Sequence, residues 1–283
     1  GPGSGKLATC MNQLYHEHTS GVNAGYAKFE TFPIWNIPLK HPVNIAYEAA
    51  AADIQDFNQI DPFHLEAYNK KSVNYNRDVE VFPVLKRILE RIMDYDAVYR
   101  SPTDMGVNRA GFGIIDDDAV QKASIEEIIR RYFRYRCEYA LGLASKKTVD
   151  RIELLMKEVN AAPEDRSVVM PARETAAAAE EQGKGHKGIF CGAAIELKNG
   201  SIITGRNSGL LHASSSLILN AIKECADIPD PIHLLSPSII ESIAGLKENI
   251  LNSKTVSLDL EETFIALSIC ATTNPTAQLA MDR

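Results

Sequence analysis

The sequence lacks the features typical of membrane, disulfide-rich and nucleic-acid-binding proteins. No apolar run approaches the roughly 20 residues that span a bilayer, and no basic stretch followed by an apolar one indicates an export signal. The five cysteines are widely spaced and form no CxxC pair, so neither a disulfide framework nor a zinc ribbon is indicated. A net charge of −7 argues against a general nucleic-acid binder. We therefore expect a cytoplasmic protein with neither membrane nor nucleic acid among its partners.

The rest of the composition is that of a globular protein. Its 283 residues are enough for two domains of ordinary size or for one large domain. Apolar residues make up 45% of the chain and charged residues 24%, which is the usual balance in globular proteins. The chain opens inside a glycine-rich turn with no strand before it, which is typical of a fragment of a longer protein.

That glycine-rich turn, residues 1–6, ends in Gly-Lys where a helical pattern begins. Backbone N–H groups of such a turn converge on a phosphate, the helix end adds partial positive charge, and the lysine adds a full one. The turn lacks the first glycine of the P-loop pattern, and Leu7 stands where a Mg²⁺-binding Ser or Thr is required. The alternatives are a tag remnant and a plain helix start. The residues predicted to bind the phosphate are Gly3, Ser4, Gly5 and Lys6.

Four polar clusters, separated by short helices, follow between residues 20 and 108. The first, 26–42, interleaves aromatic and charged side chains, and its prolines exclude a long helix. Loops of this kind often carry binding groups, although a purely structural role is the alternative. If the clusters face one cleft, they supply ion pairing and proton transfer. The residues predicted to be catalytic are Glu30, His41, His64, Arg77 and Asp78, and Lys28 is predicted to bind the ligand.

Sequence periodicity and capping signals predict the elements of the chain. Asp61 is placed as an N-cap with Pro62 at the first helical position, and Pro42 opens a helix in the same way. A strand is predicted over 24–32 and another over 232–235. The predicted hairpin strands are 189–197 and 201–204. The predicted helices are 6–20, 42–56, 81–93, 118–142, 146–160, 211–225, 237–250 and 259–271.

This order of elements predicts an α/β protein built of three-layer α/β domains with an inserted helical hairpin. The predicted parts are the remainder of a Rossmann- or P-loop-like domain (1–115), a helical hairpin lobe (116–162), a linker (163–187) and a second α/β domain (188–283). No spacing of His, Cys, Asp or Glu matches a metal motif, so no metal site is predicted.

The last domain resembles the cytidine-deaminase fold, because a hairpin and a loop with Gly and Asn lead into a helix that opens His212-Ala213. In active enzymes of that fold a zinc ligand and Ala are followed by a proton-shuttling Glu, and a Pro-Cys-x-x-Cys pair completes the site. Ser214 stands at the Glu position here, and the sequence has no Pro-Cys-x-x-Cys. The resemblance implies a scaffold or a recruited binding domain without zinc.

A second resemblance covers nearly the whole chain. The motifs that carry it are residues 1–6, 15–18, 27–36, 39–44, 60–68, 73–80, 101–108 and 274–280. They are similar to those of the bacterial family catalogued as domain of unknown function 1846. The resemblance implies a longer protein, with a Rossmann-like segment before this chain and a further stretch after it. It also implies that the glycine turn is native and follows an apolar strand, which favours phosphate binding, but it implies no reaction.

Two functional hypotheses follow. The first is a cytoplasmic enzyme that binds a nucleotide or phosphorylated metabolite, for which phosphoryl or nucleotidyl transfer suits the residues, because such catalysis is mostly positioning and charge stabilisation. The second is a non-catalytic ligand-sensing or scaffold protein. In either case we expect a homo-oligomer, and the sequence identifies no cofactor. Convergence of Lys6, His64, Arg77 and Asp78 on one cleft would favour the enzyme, and scatter would favour the scaffold.

Overall fold

The computed structural model describes residues 5–28, 33–93 and 99–283. The chain forms two compact units, unit 1 (Gly1–Pro163) and unit 2 (Glu164–Arg283). Helices dominate both, and the described strands form two antiparallel two-stranded sheets, a mixture compatible with the α/β class. Within the described ranges, no helix combines the length and the apolar character needed to cross a membrane. The finer four-part division of the sequence stays a prediction.

Unit 1 is built from helices around one small sheet. Strands β1 (Asn58–Ile60) and β2 (Val73–Tyr75) pair with Gln59 opposite Asn74. The helices are α1 (Lys6–Thr19), α2 (Pro42–Ala50), α3 (Pro62–Tyr68), α4 (Asn76–Met93), α5 (Asp117–Ala140) and α6 (Lys146–Glu158). Its described residues also form 3₁₀ turns at Ala52–Ile54, Pro102–Met105 and Ala110–Gly113.

The predicted helix starts of unit 1 are confirmed where a cap and a proline mark them. The Asp61 side chain accepts a hydrogen bond from the His64 backbone N–H (3.0 Å), and Pro62 is the first residue of α3. Helix α2 begins at Pro42 as predicted but ends at Ala50 instead of residue 56. The chain leaves the α-helix at Ala51, makes the 3₁₀ turn Ala52–Ile54, and enters β1 after Gln55 adopts a left-handed conformation.

Two separate apolar cores hold unit 1 together. In the first, Met11 and Leu14 of α1 pack against Phe82 and Leu89 of α4. The second joins α2 to the antiparallel pair α5 and α6, and its buried members are Ile45, Ala49, Ala52, Ile128, Ile129, Tyr135, Ile152, Leu155 and Met156. Helices α5 and α6 therefore pack on each other and share their core with α2, and the separate helical hairpin lobe stays a prediction.

Unit 2 is organised on the predicted hairpin, which is confirmed as β3 (Gly192–Glu196) and β4 (Ile202–Arg206). A Cβ on Gly192 would clash with the Ala172 carbonyl, and one on Gly205 would clash with the Leu217 backbone. Because Gly205 pairs with Ala193, these two glycines face opposite sides of the sheet. One helix therefore packs closely on each face. The helices are α7 (Val169–Glu181), α8 (Ala213–Cys225), α9 (Pro237–Asn249), α10 (Leu260–Ala271) and α11 (Pro275–Met281).

Two predicted strands differ from the structure. Residues 232–235 are irregular: they follow a turn closed by the bond from the Ile232 N–H to the Pro229 carbonyl, and no described strand lies beside the segment. The side chains of Leu234 and Leu235 are buried in the core of unit 2 instead. Of the strand predicted over 24–32, residues 24–28 belong to no strand, and 29–32 lie outside the described residues. The predicted linker, 163–187, contains α7.

Candidate functional site

The polar clusters of unit 1 meet around the 3₁₀ turn Pro102–Met105. Ser101 caps this turn: its hydroxyl accepts from the Asp104 N–H (3.3 Å), and the Asp104 carboxylate accepts from the Ser101 N–H (3.0 Å). At the end of the turn, a side chain on Gly106 would collide with the Lys28 carbonyl. The Lys28 N–H donates to the Met105 carbonyl (2.7 Å). This turn therefore brings residue 28 close to segment 101–106.

His64, on α3, contacts this turn through one ring nitrogen. Its Nδ1 lies 3.0 Å from the Ser101 hydroxyl and 3.9 Å from the Asp104 carboxylate. Within the described chain, the Nε2 atom has no hydrogen-bond partner. It is not a buried atom, so it keeps access to solvent. A Ser-His-Asp triad places its Ser and Asp on opposite nitrogens. Ser101 is fully buried and shares Nδ1 with Asp104, so these three residues do not form such a triad.

Tyr68, one helical turn beyond His64, completes the cluster. Its ring lies 4.7 Å from the imidazole of His64, and its hydroxyl donates to the Asp104 carboxylate (2.9 Å). Desolvation and the hydrogen bond to Asp104 both raise the pKa of Tyr68 above its usual value of 10.0. Tyr68 is therefore a neutral hydrogen-bond donor at physiological pH.

Asp61 and Thr103 hold the cluster from behind. The Asp61 carboxylate is fully buried and accepts from the Thr103 N–H (3.2 Å) and the Thr103 hydroxyl (2.5 Å), in addition to the N-cap bond to α3. The Ser72 hydroxyl lies 3.0 Å from that of Thr103. Because buried carboxylates need their hydrogen bonds, this network fixes the start of α3 against the 3₁₀ turn. It is a positioning network with no exposed reactive atom.

The other charged residues predicted for the site form ion pairs. Lys28 Nζ pairs with the Asp78 carboxylate at the start of α4. Arg77 Nε lies 2.5 Å from the buried carboxylate of Asp56, which also accepts from the Tyr75 hydroxyl. Burial and the bond to Asp56 raise the pKa of Tyr75. Arg77 and Asp78 are thus adjacent in sequence, but each has its own partner.

His41 lies at the start of α2, where its Nδ1 accepts from the Val43 N–H (3.3 Å). Its Nε2 lies 3.0 Å from the Asp117 carboxylate at the start of α5. Hydrogen bonds from Gln121 and His41 lower the pKa of Asp117. These contacts fasten α2 to α5, and none of them joins His41 to the His64 cluster.

The glycine turn is described only from its last glycine. Gly5 is the N-cap of α1 with φ +75°, and no side chain caps the helix there. The Lys6 side chain is exposed, and the described residues offer it no ion-pair partner. Gly3, Ser4 and Glu30, which complete the predicted site residues, lie outside the described residues.

A cavity of about 540 Å³ opens between α3 and α4. Its charged lining side chains are Lys86, Arg87 and Arg100 together with Glu66 and Glu90, and Glu90 pairs with Arg87. The Arg100 guanidinium lies 5.2 Å from the centre of the Tyr68 ring, and the Arg100 N–H donates to the Asp104 carboxylate (2.8 Å). The cavity is therefore adjacent to the His64 cluster. In the described parts of the chain, no three His, Cys, Asp or Glu side chains are grouped so that they could hold a metal ion.

The sequence indicated His64 as a candidate residue but did not indicate that Arg100, Tyr68 and Ser101 lie around it. The Ser101-x-x-Asp104 spacing is a capping-box signal and could have identified the 3₁₀ turn. Nothing in the sequence indicated that this turn contacts α3, because the Ser101–His64 contact joins residues 37 positions apart.

The chain matches two family models and is similar to several curated bacterial proteins. Residues 1–160 match the family described as "Domain of unknown function DUF1846, N-terminal", and residues 164–283 match "Domain of unknown function DUF1846, C-terminal". A UPF0371 protein of Clostridium botulinum (strain 657 / Type Ba4) is 58% identical over 284 residues. A UPF0371 protein of Clostridium tetani is 56% identical over 283 residues. These matches cover all of this chain and 56% of each relative. The chain therefore belongs to the DUF1846 family.

Proposed function

We propose that unit 1 belongs to a cytoplasmic enzyme that binds a nucleotide or phosphorylated metabolite, with His64 as its general acid–base group. The observation that carries this proposal is the arrangement of the imidazole. Nδ1 lies 3.0 Å from the Ser101 hydroxyl and 3.9 Å from the Asp104 carboxylate, whereas Nε2 makes no hydrogen bond to a described residue. A histidine whose one nitrogen is fixed presents the other nitrogen in a defined direction, which is what proton transfer to a bound ligand requires.

The positive side chains nearby favour an anionic ligand. Lys86 and Arg100 line the cavity between α3 and α4, and Arg100 also contacts Tyr68 beside His64. The lining also holds two acidic residues, of which Glu90 is paired with Arg87, so Lys86 and Arg100 face the single remaining glutamate, Glu66. Arginine is suited to phosphate because its planar donors match two oxygens at once. We propose further that Lys6 and the backbone of Gly3, Ser4 and Gly5 hold a phosphate at the start of α1. Phosphoryl or nucleotidyl transfer suits this combination, since it depends mostly on positioning and charge stabilisation.

A specific observation favours a second candidate, an oligomeric scaffold or ligand sensor. Lys28, Asp78, Arg77 and His41 are each engaged in an ion pair or a helix cap within the chain. Groups already paired in this way stabilise the fold and are less available to a ligand. In this candidate, unit 2 is a three-layer, deaminase-like domain without zinc that contacts further copies of the chain.

Two variants and a ligand panel separate these candidates. In a thermal-shift screen with nucleotides and sugar phosphates, the enzyme hypothesis expects a ligand that raises the Tm of the wild type. Lys6→Ala should remove this shift. His64→Gln should keep it and lower kcat for the identified ligand by about 100-fold or more, the usual effect of losing an acid–base group.

His233→Gln is the matched control, because His233 is exposed and lies in unit 2. This variant should change neither the ligand-induced rise in Tm nor kcat. If no ligand of the panel shifts the wild type, the scaffold is favoured. If His64→Gln retains full turnover, His64 is not the acid–base group.

A further inference from the structure

We propose that Ser101 is a positioning residue that sets the tautomer of His64. The Ser101 hydroxyl donates a hydrogen bond to Nδ1 of the imidazole, and the neutral ring therefore carries its proton on Nε2. This role of Ser101 rests on the function proposed for unit 1 and deepens it, because the tautomer decides whether Nε2 meets a ligand as a donor or as an acceptor.

The hydroxyl of Ser101 has two hydrogen-bonding neighbours within the described chain. One is the Asp104 N–H, which donates to the hydroxyl oxygen (3.3 Å). An N–H group only donates, so it cannot accept the hydroxyl hydrogen. The other neighbour is Nδ1 of His64, at 3.0 Å. Ser101 is fully buried, so bulk solvent does not reach its hydroxyl. Nδ1 is therefore the acceptor that the structure offers to this hydrogen.

The opposite tautomer would leave a buried hydrogen without a partner. With a proton on Nδ1, the Ser101 oxygen would accept from both Nδ1 and the Asp104 N–H, and its own hydrogen would meet no acceptor among the described residues. A buried donor that makes no hydrogen bond costs the full desolvation of that group. With the proton on Nε2, the Ser101 hydroxyl is satisfied, and water can accept from Nε2, which keeps access to solvent.

The Asp104 carboxylate does not hold a proton on Nδ1. Its Oδ2 atom accepts from the Arg100 N–H (2.8 Å), the Ser101 N–H (3.0 Å) and the Tyr68 hydroxyl (2.9 Å). Its other oxygen, Oδ1, lies 3.9 Å from Nδ1 of His64, which is beyond hydrogen-bond distance. In a Ser-His-Asp triad the carboxylate bonds directly to the Nδ1–H group and fixes the other tautomer. The arrangement around His64 therefore favours a proton on Nε2.

A proton on Nε2 defines how His64 meets a ligand. The imidazolium carries a proton on both nitrogens, so Nε2 is a donor in either protonation state. The ligand atom that contacts Nε2 must then be an acceptor, such as an oxygen of a phosphate group. His64 therefore begins on the acid side of its proposed acid–base role, as a hydrogen-bond donor to an anionic oxygen. It does not begin as a base that removes a proton from a hydroxyl group.

The tautomer is measured by ¹⁵N NMR of the imidazole rings in the full chain without ligand, because protonated and unprotonated ring nitrogens have widely different ¹⁵N shifts. The pH is set well above the ordinary histidine pKa of about 6.5, so that neutral rings are observed. The signals of His64 are those that disappear in His64→Gln. In the wild type we expect an unprotonated Nδ1 and a protonated Nε2.

Three variants test the role of Ser101. Ser101→Ala removes the donor to Nδ1 and leaves the Asp104 carboxylate beside it, so we expect the proton to move to Nδ1. Ser72→Ala is the matched control: it removes another buried hydroxyl of the same network, which lies 3.0 Å from that of Thr103, and should leave the proton on Nε2. Asp104→Asn should also leave it there, because the amide oxygen can replace Oδ2 as an acceptor and Ser101 is unchanged.

A wild-type ring with its proton on Nδ1 overturns the proposal, whether or not the variants fold. The proposal also fails if the proton stays on Nε2 in Ser101→Ala, or if it moves to Nδ1 in Ser72→Ala or Asp104→Asn. These results are independent of the function proposed for unit 1, because the tautomer is read without a ligand. That function fails separately, if no ligand raises the Tm in the thermal-shift screen.

Discussion

Glu127 is a single residue whose environment makes the stability of α5 depend on pH. Its carboxylate accepts hydrogen bonds from Arg130 (2.6 Å) and Arg131 (2.7 Å), one helical turn away. The bond from Arg130, opposed by partial burial and reinforced by Arg131, lowers the pKa of Glu127 to about 2. A lowered carboxyl pKa adds stability that is fully present above the ordinary pKa of glutamate and is lost as the pH falls toward 2.

We therefore expect Glu127→Gln to lower the free energy of unfolding by about 1 kcal/mol at pH 7, after allowing for solvent screening of a partly exposed pair. The difference from the wild type should shrink between about pH 4.5 and pH 2, because the wild-type carboxylate becomes protonated there. Urea unfolding of both proteins at a series of pH values measures this difference in the free energy of unfolding. Glu174→Gln, at an exposed position on α7, is the control and should show no such pH dependence. A constant difference across this range would contradict the assignment.

Single residues also illustrate how much of the candidate site could be predicted from the sequence. His64 was identifiable because an acid–base side chain in a polar cluster is a local signal. The contact of the His64 ring with Ser101 could not be predicted, because the two residues are 37 positions apart in the sequence. The partners of Arg77 and Asp78 were hidden for the same reason: Asp56 and Lys28 approach them only when β1, β2 and the 3₁₀ turn have packed.

At the scale of elements, predictions succeeded where the information was local. The Asp61-Pro62 pair marks the start of α3, because the Asp61 side chain accepts a hydrogen bond from the helix backbone and Pro62 is the first helical residue. The β3–β4 hairpin is marked by the Asn199-Gly200 turn. Strands β1 and β2 were not predicted, since three residues each are too few to show an alternating pattern. Residues 232–235 have the apolar pattern of a strand, but no described strand lies beside them to pair with. Their tertiary surroundings therefore outweighed their intrinsic preference for a strand.

The close packing of α7 on β3 gives a prediction for an element. A Cβ on Gly192 would meet the Ala172 carbonyl and the Ala176 N–H, both backbone atoms that cannot move without shifting the helix. Gly192→Ala should therefore destabilise unit 2 by about 1–3 kcal/mol, the usual cost of overpacking. Gly245→Ala is the matched control, because its Cβ would make only an ordinary contact, 3.8 Å from the Asn249 amide.

Gly245 lies inside α9, so its replacement by alanine should instead stabilise the chain by up to about 1 kcal/mol. Thermal and urea unfolding of both variants measure the two effects. Equal Tm values for Gly192→Ala and the wild type would show that α7 is free to move away from the sheet, against the close packing described above.

At the scale of the whole molecule, the division into units has a physical basis in the cores. The family matches end at residue 160 and resume at 164, and the compact units divide at Pro163. The buried cluster of unit 2 is drawn only from residues after 218, and both clusters of unit 1 only from residues before 160. Because the described buried members of each cluster come from one unit, we expect each unit to open locally on its own.

Leu89 and Leu267 test this independence, because each is almost completely buried, with 0% and 1% of its surface exposed, in a different core. Leu89→Ala and Leu267→Ala should each cost about 2–5 kcal/mol, the usual range for a leucine truncated in a core. Hydrogen exchange should then rise in α1 and α4 for Leu89→Ala, and in α8, α10 and α11 for Leu267→Ala, with the other unit protected as in the wild type. If either variant loosens both units to the same extent, the chain unfolds as one cooperative body, and the separate cores do not make separate folding units.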